Sequence, residues 1–246
     1  MKQLIKKWVR RLGYDIIQLP LDLTVEEKEI VLAVSPFTLT GADRLMCLIR
    51  ATKYIVENRI EGDFVECGVW RGGSMMAVAH TLKQLGDTTR KLCLYDTFAG
   101  MSTPTDKDVR FDGMTAQRLI ETVYKNAGAW RRAGKGEVTR NLLTTGYPES
   151  NLLLVEGKVE ETIPRTLPAQ ICLLRLDTDW YESTRHELNY LYPKLVKNGV
   201  LIIDDYGHWL GSKQATDEYF EQRTLKPFLH RVDYTCRVAV KTEESN

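Results

Sequence analysis

Two stretches of this chain decide its fold: ICLLRLDTDWY at residues 171–181 and VLIIDDY at residues 200–206. Each is a short apolar run that ends in a pair of acids, and residues 182–196 between them have the pattern of a helix. A strand, a helix and a strand of these lengths form one βαβ unit, whose two strands lie parallel in the same sheet. Both acidic turns are therefore expected at the carboxyl edge of that sheet, where open α/β folds bind their ligands.

Four carboxylates are predicted to meet at this edge, those of Asp177, Asp179, Asp204 and Asp205. Such a cluster repels itself unless a cation lies within it, and a hard divalent metal ion with oxygen ligands meets that need. The alternative is that Asp177 and Asp204 only cap the turns that follow them. Capping accounts for one acid in each turn but not for two, so a metal site is the favoured interpretation.

The rest of the chain extends this unit into a doubly wound sheet. Short apolar runs that alternate with helical patterns predict further strands at residues 64–67, 91–95, 152–155 and 234–240. The last of these is expected to be an antiparallel edge strand. The predicted fold class is therefore α/β, with a Rossmann-like sheet that is mostly parallel and has an antiparallel C-terminal edge.

One domain is expected from residue 37 to residue 246, after a helical and basic N-terminal extension over residues 1–36. The chain has 246 residues and is 43% hydrophobic, which suits a single α/β domain with a substantial core. Residues 102–148 are polar, glycine-rich and longer than a crossover needs, so they are predicted to form a lid over the ligand edge. The alternative is a surface excursion without a role.

The composition limits the classes of binding partner and the cellular compartment that are expected for this protein. A formal net charge of +1 gives no indication of a nucleic-acid partner. The five cysteines are scattered and lack Cys-x-x-Cys spacing, which favours free thiols in a reducing, cytoplasmic location. A basic amphipathic helix over residues 1–11 could touch an anionic membrane surface, although packing on a partner subunit or solvation is favoured.

A glycine-rich turn, ECGVWRGGS at residues 66–74, follows the first strand. Its spacing differs from that of the dinucleotide-binding turn, and its acid comes first. An acid suits an ammonium group, while the amides at the following helix start can meet a carboxylate. These two groups together describe the methionine half of S-adenosylmethionine. The candidate donor-binding residues of the turn are Glu66, Gly68, Arg71, Gly72, Gly73 and Ser74.

Two further strand ends complete a predicted nucleoside cleft. Asp96 ends the second strand, where an acid can accept hydrogen bonds from both ribose hydroxyls. Gly157 follows the third strand, where an adenine ring can lie against backbone and apolar side chains. The alternative for Asp96 is that its carboxylate only caps a turn.

Four motifs resemble the macrocin O-methyltransferase family, which includes the mycinamicin and novobiocin sugar methyltransferases. They are DFVECGVWRGGS at residues 63–74, YDTFAGM at 95–101, LRLDTDWYEST at 174–184 and DDY at 204–206. The resemblance extends over about residues 37–240. It implies a class I methyltransferase fold, S-adenosylmethionine as the methyl donor, dependence on Mg²⁺, and a sugar hydroxyl as the acceptor.

Carried over position by position, the resemblance implies a role for each acid. The implied metal ligands are Asp177, Asp204 and Asp205, the implied general base is Asp179, and the implied donor contacts are Glu66, Gly68 and Asp96. Thr178 and Trp180 stand where the family commonly has glycine and methionine, so the acceptor pocket is expected to differ. The resemblance also implies a homo-oligomer.

The chemistry leaves two candidates for the base. A sugar hydroxyl is a weak acid, but Mg²⁺ bound to its oxygen lowers the pKa, and a vicinal diol would chelate the ion. Asp179 is the favoured base because it lies two residues beyond the ligand Asp177. His208 is the rival, since an imidazole is better matched to pH 7.

Three other functions remain open from the sequence. They are a catechol-type phenolic O-methyltransferase, a metal-dependent hydrolase that uses the same acids, and a non-catalytic nucleotide-binding module. Binding of S-adenosylhomocysteine separates a methyltransferase from the hydrolase, and metal-dependent turnover separates it from the binding module.

Overall fold

The computed structural model describes residues 19–124 and 132–243. Its centre is a seven-stranded sheet with the strand order β3-β2-β1-β4-β5-β7-β6. The first five strands are parallel, while β7 pairs antiparallel with β5 and β6 pairs antiparallel with β7. The strands are β1 (Asp63–Cys67), β2 (Leu92–Asp96), β3 (Leu152–Glu156), β4 (Ile171–Leu176), β5 (Leu195–Ile203), β6 (His230–Arg231) and β7 (Arg237–Val240). The predicted α/β class with an antiparallel C-terminal edge is confirmed.

Helices cover both faces of the sheet. They are α1 (Val25–Val34), α2 (Ala42–Glu57), α3 (Gly73–Gln84), α4 (Ala116–Leu119), α5 (Lys135–Leu143), α6 (Val159–Thr162), α7 (Tyr181–Leu191) and α8 (Leu210–Glu221). Alternate residues of each strand serve opposite faces. In β1, Phe64 packs in the core with α1, α2, α3 and α5, whereas Val65 packs in the core with α6, α7 and α8.

The predicted βαβ unit is present, and it places the two acidic turns side by side. Strands β4 and β5 are parallel, with Leu176 opposite Ile203, so that Asp177 and Asp204 follow neighbouring strand ends. Strand β1 lies between β2 and β4, with Cys67 opposite both Tyr95 and Leu176. The strand order therefore reverses next to the acidic turns, which is where doubly wound sheets open a crevice for ligands.

Strand β5 begins at Leu195, five residues before the predicted run from Val200, and two other element boundaries differ from the predicted ones for local reasons. Helix α7 ends at Leu191 instead of continuing to residue 196, because Pro193 converts the next three residues into a 3₁₀ turn. Strand β7 begins at Arg237 rather than at Tyr234. The carboxylate of Asp233 accepts hydrogen bonds from the amides of Thr235 and Cys236, which holds these residues in a turn.

Part of the predicted N-terminal extension belongs to the core of the domain. Residues 1–18, which include the basic helix, lie outside the described residues. Helix α1 buries Ile30, Val31 and Val34 in the same core as α2 and α3. The predicted division at residue 37 therefore falls after a helix that is already joined to the domain.

The predicted lid, residues 102–148, divides into two described pieces around residues 125–131, which are not described. Helix α5 in the second piece buries Val138 and Leu142 against the body of the domain. Its role as a lid stays a prediction. Across the described parts of the chain, none of the helices has both the length and the apolar character that spanning a bilayer requires.

A buried carboxylate joins α1 to α2. Glu27 is 2% exposed and accepts hydrogen bonds from Arg50, from Lys53 and from the Thr24 amide, which completes a capping box. Burial by itself would raise the pKa of Glu27, but these hydrogen bonds outweigh it and lower the pKa to about 2. The ionised carboxylate therefore stabilises the folded state at neutral pH.

Replacing Glu27 with glutamine is expected to lower the free energy of unfolding at pH 7 by about 2–3 kcal/mol. A carboxylate with a lowered folded-state pKa contributes stability that is complete above its unfolded pKa of 4.5 and is lost as the pH falls through about 2. The difference between Glu27→Gln and the wild type should therefore shrink between pH 5 and pH 2. Urea unfolding across that range tests this, with exposed Glu29→Gln on the same helix as the control.

Candidate active site

Two adjoining cavities lie at the carboxyl edge of the sheet. They share five lining residues: Gly68, Asp96, Gly100, Met101 and Asp177. The first cavity, called the acid cavity here, continues over the acidic turns and is also lined by Thr38, Leu39, Thr40, Arg44, Val69, Trp70, Ser74, Asp179, Asp204, Asp205, His208, Trp209, Tyr234 and Thr235. The second, called the β3 cavity, continues along the end of β3 and is also lined by Tyr95, Thr97, Ser102, Gly157, Lys158, Val159, Glu160, Thr178 and Ser183. The residues predicted to hold a nucleoside and those predicted to bind a metal thus border one continuous cleft.

Gly68 is the point where the glycine turn touches the first acidic turn. Its φ is +83°, and a Cβ atom there would lie 2.0 Å from the carbonyl oxygen of Asp177. Its amide donates to the Tyr95 carbonyl, and the Asp177 amide donates to the Cys67 carbonyl. Only glycine satisfies both this backbone angle and this close approach. Gly68 therefore allows the two turns to pack together where the two cavities adjoin.

Asp96 holds the glycine turn in place. One of its carboxylate oxygens accepts hydrogen bonds from the amides of Val69 (2.6 Å) and Trp70 (3.1 Å), and the other accepts from the Phe98 amide at 2.7 Å. The amide of Gly157 donates to the Asp96 carbonyl, which aligns the ends of β2 and β3. Asp96 and Gly157 both line the β3 cavity, and their contacts with a donor stay a prediction.

The other predicted donor residues take different positions. Ser74 lines the acid cavity, and its hydroxyl lies 3.5 Å from the Thr40 hydroxyl. Arg71 lies away from both cavities, where it pairs with Glu137 at 2.7 Å and donates to the Pro36 carbonyl. Gly72 and Gly73 start helix α3 and are not among the lining residues.

Glu66 lies beneath the cleft, where it pairs with a buried arginine. Arg175 is 1% exposed, and one of its terminal nitrogens contacts Glu66 at 2.6 Å and Asp177 at 2.7 Å. The other terminal nitrogen contacts Asp204 at 2.8 Å and the Thr40 hydroxyl at 3.0 Å. The cation that the sequence required among the acids is therefore supplied in part by the protein.

Burial and charge act against each other in this network. Burial disfavours the charge of Arg175, but Asp177, Asp204 and Glu66 raise its pKa well above the usual value. Burial raises the pKa of Glu66 to about 8 despite the pull of Arg175. Arg175 thus remains a cation under all ordinary conditions, while the charge of Glu66 depends on its surroundings.

A second arginine reaches the acids from helix α2. Arg44 forms an ion pair with Asp204 and another, at 3.3 Å, with Asp233 from the loop before β7. The carboxylate of Asp204 therefore accepts hydrogen bonds from Arg175 on one oxygen and from Arg44 on the other. This predicted metal ligand faces the two arginines in the described structure.

The remaining three acids form the group that suits a metal ion. One carboxylate oxygen each from Asp177, Asp179 and Asp205 lies within 4.8 Å of the others. Removal from water, together with the charges of Asp204 and Asp205, raises the pKa of Asp177 well above its usual value even beside Arg175. A divalent cation relieves such repulsion, and hard carboxylate oxygens are the ligands that Mg²⁺ prefers. The residues present therefore fit the implied ion.

The backbone of Asp179 is strained. Its φ is +69°, in the left-handed region, and its side chain is 3% exposed. Aspartate and asparagine tolerate this conformation better than other non-glycine residues. Strained residues concentrate at functional sites, where the surrounding structure holds them, and here the strain belongs to a residue of the acidic group.

The rival base, His208, lines the same cavity. Its Nδ1 atom lies 3.0 Å from the Tyr234 hydroxyl, and its ring makes edge contacts with those of Phe111, Trp209 and Tyr234. Both predicted bases thus line the acid cavity, so their position in the cleft does not distinguish them.

Thr178, one of the two departures from the family pattern, makes a buried contact. Its hydroxyl donates to Glu187 at 2.9 Å, and Glu187 is fully buried in helix α7. Burial raises the pKa of Glu187 well above its usual value. The threonine therefore ties the acidic turn to the helix that follows it. Trp180, the other departure, is 2% exposed and packs edge-on against Trp209.

Several residues of the site were missed by the sequence analysis. Arg44, Thr40 and Tyr234 come from helix α2, the loop before it and the loop before β7. None has a local pattern that marks it. Trp209 had a usable signal, since it directly follows His208 at the second acidic turn.

Comparisons with known proteins agree with this arrangement. A family model described as Macrocin-O-methyltransferase (TylF) matches residues 30–241. Demethyldecarbamoylnovobiocin O-methyltransferase of Streptomyces niveus is 31% identical over 182 residues, which are 74% of this chain and 67% of that protein. An O-methyltransferase of Streptomyces olivaceus, named for the 4'-position of a rhamnosyl-tetracenomycin C, is 31% identical over 169 residues, which are 69% of this chain and 62% of that protein.

Solved structures share the fold. The O-methyltransferase NovP superimposes with a TM-score of 0.73 at 28% identity, covering 84% of this chain and 83% of its own. The strand order, the glycine turn and the acidic turns all fall within the residues that the family model matches. The chain therefore belongs to the macrocin O-methyltransferase family and is an S-adenosylmethionine-dependent O-methyltransferase.

Proposed function

We propose that this enzyme methylates a sugar hydroxyl that belongs to a vicinal diol, and that it requires Mg²⁺. The observation that supports this is the position of Asp177, which borders both cavities. On one side it adjoins Gly68 and Asp96, the predicted donor residues, and on the other it belongs to the acidic group with Asp179 and Asp205. Donor methyl and acceptor oxygen would therefore meet at this residue.

The acceptor class follows from the relatives and from the acidic group. The Streptomyces olivaceus relative is named for 4'-O-methylation of a 2,3-dimethoxyrhamnosyl substituent, which supports a sugar hydroxyl as the acceptor, while the diol is inferred from the acidic group alone. A diol presents two adjacent oxygens, which match a cation held by carboxylates on one side only. A phenolic acceptor of the catechol type offers the same pair of oxygens, and it is the alternative that an acceptor screen must include.

Asp177 and Asp205 would hold the ion, because both were predicted as ligands and both belong to the acidic group. Asp204, the third predicted ligand, would have to exchange an arginine contact in order to join them. When bound, the ion polarises an alcohol oxygen and lowers its pKa. The positive charge of Arg175 compensates the negative charges of Glu66, Asp177 and Asp204, and so it preserves the arrangement of these acids before the ion binds.

Asp179 is the proposed base. It shares the acidic group with the proposed ligands, so its carboxylate lies close to where the acceptor hydroxyl would bind. Its buried position and strained backbone restrict its movement, and alignment of the acceptor oxygen with the methyl carbon and sulfur would supply much of the rate. The role of the side chain is to take the proton as the oxygen–carbon bond forms.

A coupled experiment tests donor, metal and acceptor. S-adenosylhomocysteine is titrated calorimetrically into wild type, Asp96→Asn and the exposed control Asp43→Asn, with Mg²⁺ and with a chelator. We expect micromolar binding in wild type and Asp43→Asn, and binding weakened at least tenfold in Asp96→Asn. Asp96→Asn is preferred to Asp96→Ala because its oxygen can still accept from the amides of Val69 and Trp70, so that only the Phe98 amide loses its acceptor, whereas alanine releases all three amides.

Methyl transfer from S-adenosylmethionine is then measured with rhamnosides and with catechol. Turnover of a rhamnoside that stops on chelation and returns with Mg²⁺ is the expected result. Undiminished turnover in the chelator would contradict the proposed metal dependence. Turnover of catechol without turnover of any glycoside would indicate that the acceptor is a phenol and not a sugar.

A further inference from the structure

A buried aspartate in the predicted lid contacts the start of helix α7. Asp108 is 0% exposed, and its Oδ1 atom accepts a hydrogen bond from the Tyr181 amide at 2.7 Å. Its Oδ2 atom accepts from the amide and the hydroxyl of Thr105, at 2.7 and 3.0 Å. Tyr181 is the first residue of α7, and the N-cap residue Trp180 provides no capping side chain. Asp108 therefore caps this helix from a distant part of the chain, with its negative charge at the positive helix end.

The next residues contact the start of helix α8. The amide of Leu210, the first residue of α8, donates to the Val109 carbonyl at 2.8 Å, and the Phe111 amide donates to the His208 carbonyl at 3.0 Å. Arg110 and Trp209 form an antiparallel bridge between these two bonds. Residues 109–111 thus pair with residues 208–210, and residues 108–111 together are called the clamp here.

The two helices joined by the clamp follow the two acidic turns. Helix α7 begins two residues after Asp179, and α8 begins five residues after Asp205. The fit is close, since a Cβ atom at Gly211 in α8 would lie 2.4 Å from Oδ1 of Asp108. The Asp108 carboxylate therefore accepts a hydrogen bond from α7 and lies in van der Waals contact with α8. Asp108 itself lines neither cavity.

We propose that Asp108 is a positioning residue that holds the turn of Asp179 in register with the turn of Asp205 and His208. This proposal rests on the proposed function, because the register matters for catalysis only if these acids act on one acceptor. Among the described residues, Asp108 makes its hydrogen bonds with Thr105, Ala116 and Tyr181 and none with Gly68 or Asp96, so donor binding is expected not to depend on its carboxylate. A misplacement of the base by about 1 Å is enough to lower turnover roughly a hundredfold.

Asp108→Asn tests this with little change of shape. Asparagine has only one accepting oxygen. If that oxygen accepts from the Tyr181 amide, its NH₂ group faces the Thr105 amide, and two donors then oppose each other. We expect kcat to fall roughly 10- to 100-fold, while the affinity for S-adenosylhomocysteine and the KM for S-adenosylmethionine stay unchanged. Half-saturation by Mg²⁺ should rise, because Asp177 and Asp205 lie on the two turns. The control is Asp106→Asn, the same substitution at an exposed residue two positions away, which should leave all four quantities unchanged.

A readout without turnover uses the contact between Trp180 and Trp209, whose ring centroids are 5.0 Å apart. One belongs to each acidic turn, so near-ultraviolet circular dichroism of this pair reports their register. The signal, identified by its loss in Trp180→Phe, should weaken in Asp108→Asn and persist in Asp106→Asn. This holds even if no sugar acceptor is turned over, so that failure of the proposed function and failure of this proposal remain distinguishable.

Gly211→Ala provides a second variant in case Asp108→Asn does not fold. Its methyl group displaces the Asp108 carboxylate without changing any charge, and it should lower kcat with the same unchanged donor affinity. Wild-type kcat and an unchanged tryptophan signal in either folded variant would overturn the proposal. A parallel loss of donor affinity would also overturn it, since that result indicates a general structural role.

Discussion

Replacing Arg175 with methionine is expected to lower the free energy of unfolding at pH 7–8 by about 3–5 kcal/mol and to abolish methyl transfer. Methionine fills a similar volume but leaves Glu66, Asp177 and Asp204 without the buried cation that contacts all three. Like charges at such distances cannot all stay ionised away from water. The acids must take up protons or move apart, and either change disrupts the acidic group.

The sign of the pH dependence follows from the same charges. Without Arg175 the folded-state pKa values of Glu66 and Asp177, which burial already raises, rise further above those of the unfolded chain. Groups whose folded-state pKa is raised bind more protons in the folded state, so stability falls as the pH rises through their unfolded values near 4–4.5. Glu66 keeps its proton up to a pKa of about 8 in the wild type and up to a higher pKa in Arg175→Met, so the two folded proteins bind different numbers of protons only near and above that pH. The stability deficit of Arg175→Met should therefore grow as the pH rises from 7 to 9. Urea unfolding across this range measures it.

Two further variants sharpen this prediction. Arg175→Lys keeps the charge but not the two-nitrogen fork, so it should recover part of the stability and little of the turnover. Arg185→Met removes an arginine whose side chain is 54% exposed in α7, and it should change stability by less than about 0.5 kcal/mol. An Arg175→Met protein as stable as Arg185→Met at pH 8 would contradict the role given to the buried arginine.

The second large effect is expected for Asp179→Asn, which should lower kcat about 10²- to 10⁴-fold while binding of S-adenosylhomocysteine and Mg²⁺ persists. Asparagine has the same shape and tolerates the left-handed φ of +69°, so the turn is retained while the proton acceptor is removed. Alanine at this position would remove the proton acceptor and strain the backbone at the same time, so a loss of turnover could not be assigned to either cause.

Comparison with two other variants assigns the roles. Asp177→Ala should lose both turnover and Mg²⁺ affinity, because Asp177 is a proposed ligand. His208→Gln should reduce turnover less than Asp179→Asn does. If Asp179→Asn keeps wild-type turnover and His208→Gln does not, the base is His208, and Asp179 belongs with the metal ligands.

The strands and the acidic turns were accessible from the sequence because their signals are local. An apolar run that ends in acids, such as residues 171–179, indicates a strand and the carboxylates at its end. The parallel pairing of β4 with β5 then follows from the length and handedness of the connection. The four motifs added the family, which is shown by the match over residues 30–241.

The orientation of the acids was not accessible in this way. Asp204 and Asp205 are adjacent, and adjacent residues at a strand end point in opposite directions. Which of them faces the arginines depends on Arg44, which is 160 residues away from Asp204 in the chain. No pattern around Arg44 in helix α2 indicates this partner, because a contact between two elements depends on how they pack.

The sequence by itself determined which segments form the strands that carry chemistry, the acids and glycines at their ends, and the methyltransferase family. Only the tertiary structure decided that Arg175 compensates three carboxylates, that Asp204 faces two arginines while Asp177, Asp179 and Asp205 form one group, and that Asp108 of the predicted lid caps helix α7. The physical reason is the range of the interactions. Strand and turn preferences act over a few neighbouring residues, whereas the electrostatic balance of a cleft depends on every charged side chain that folding brings within a few ångströms.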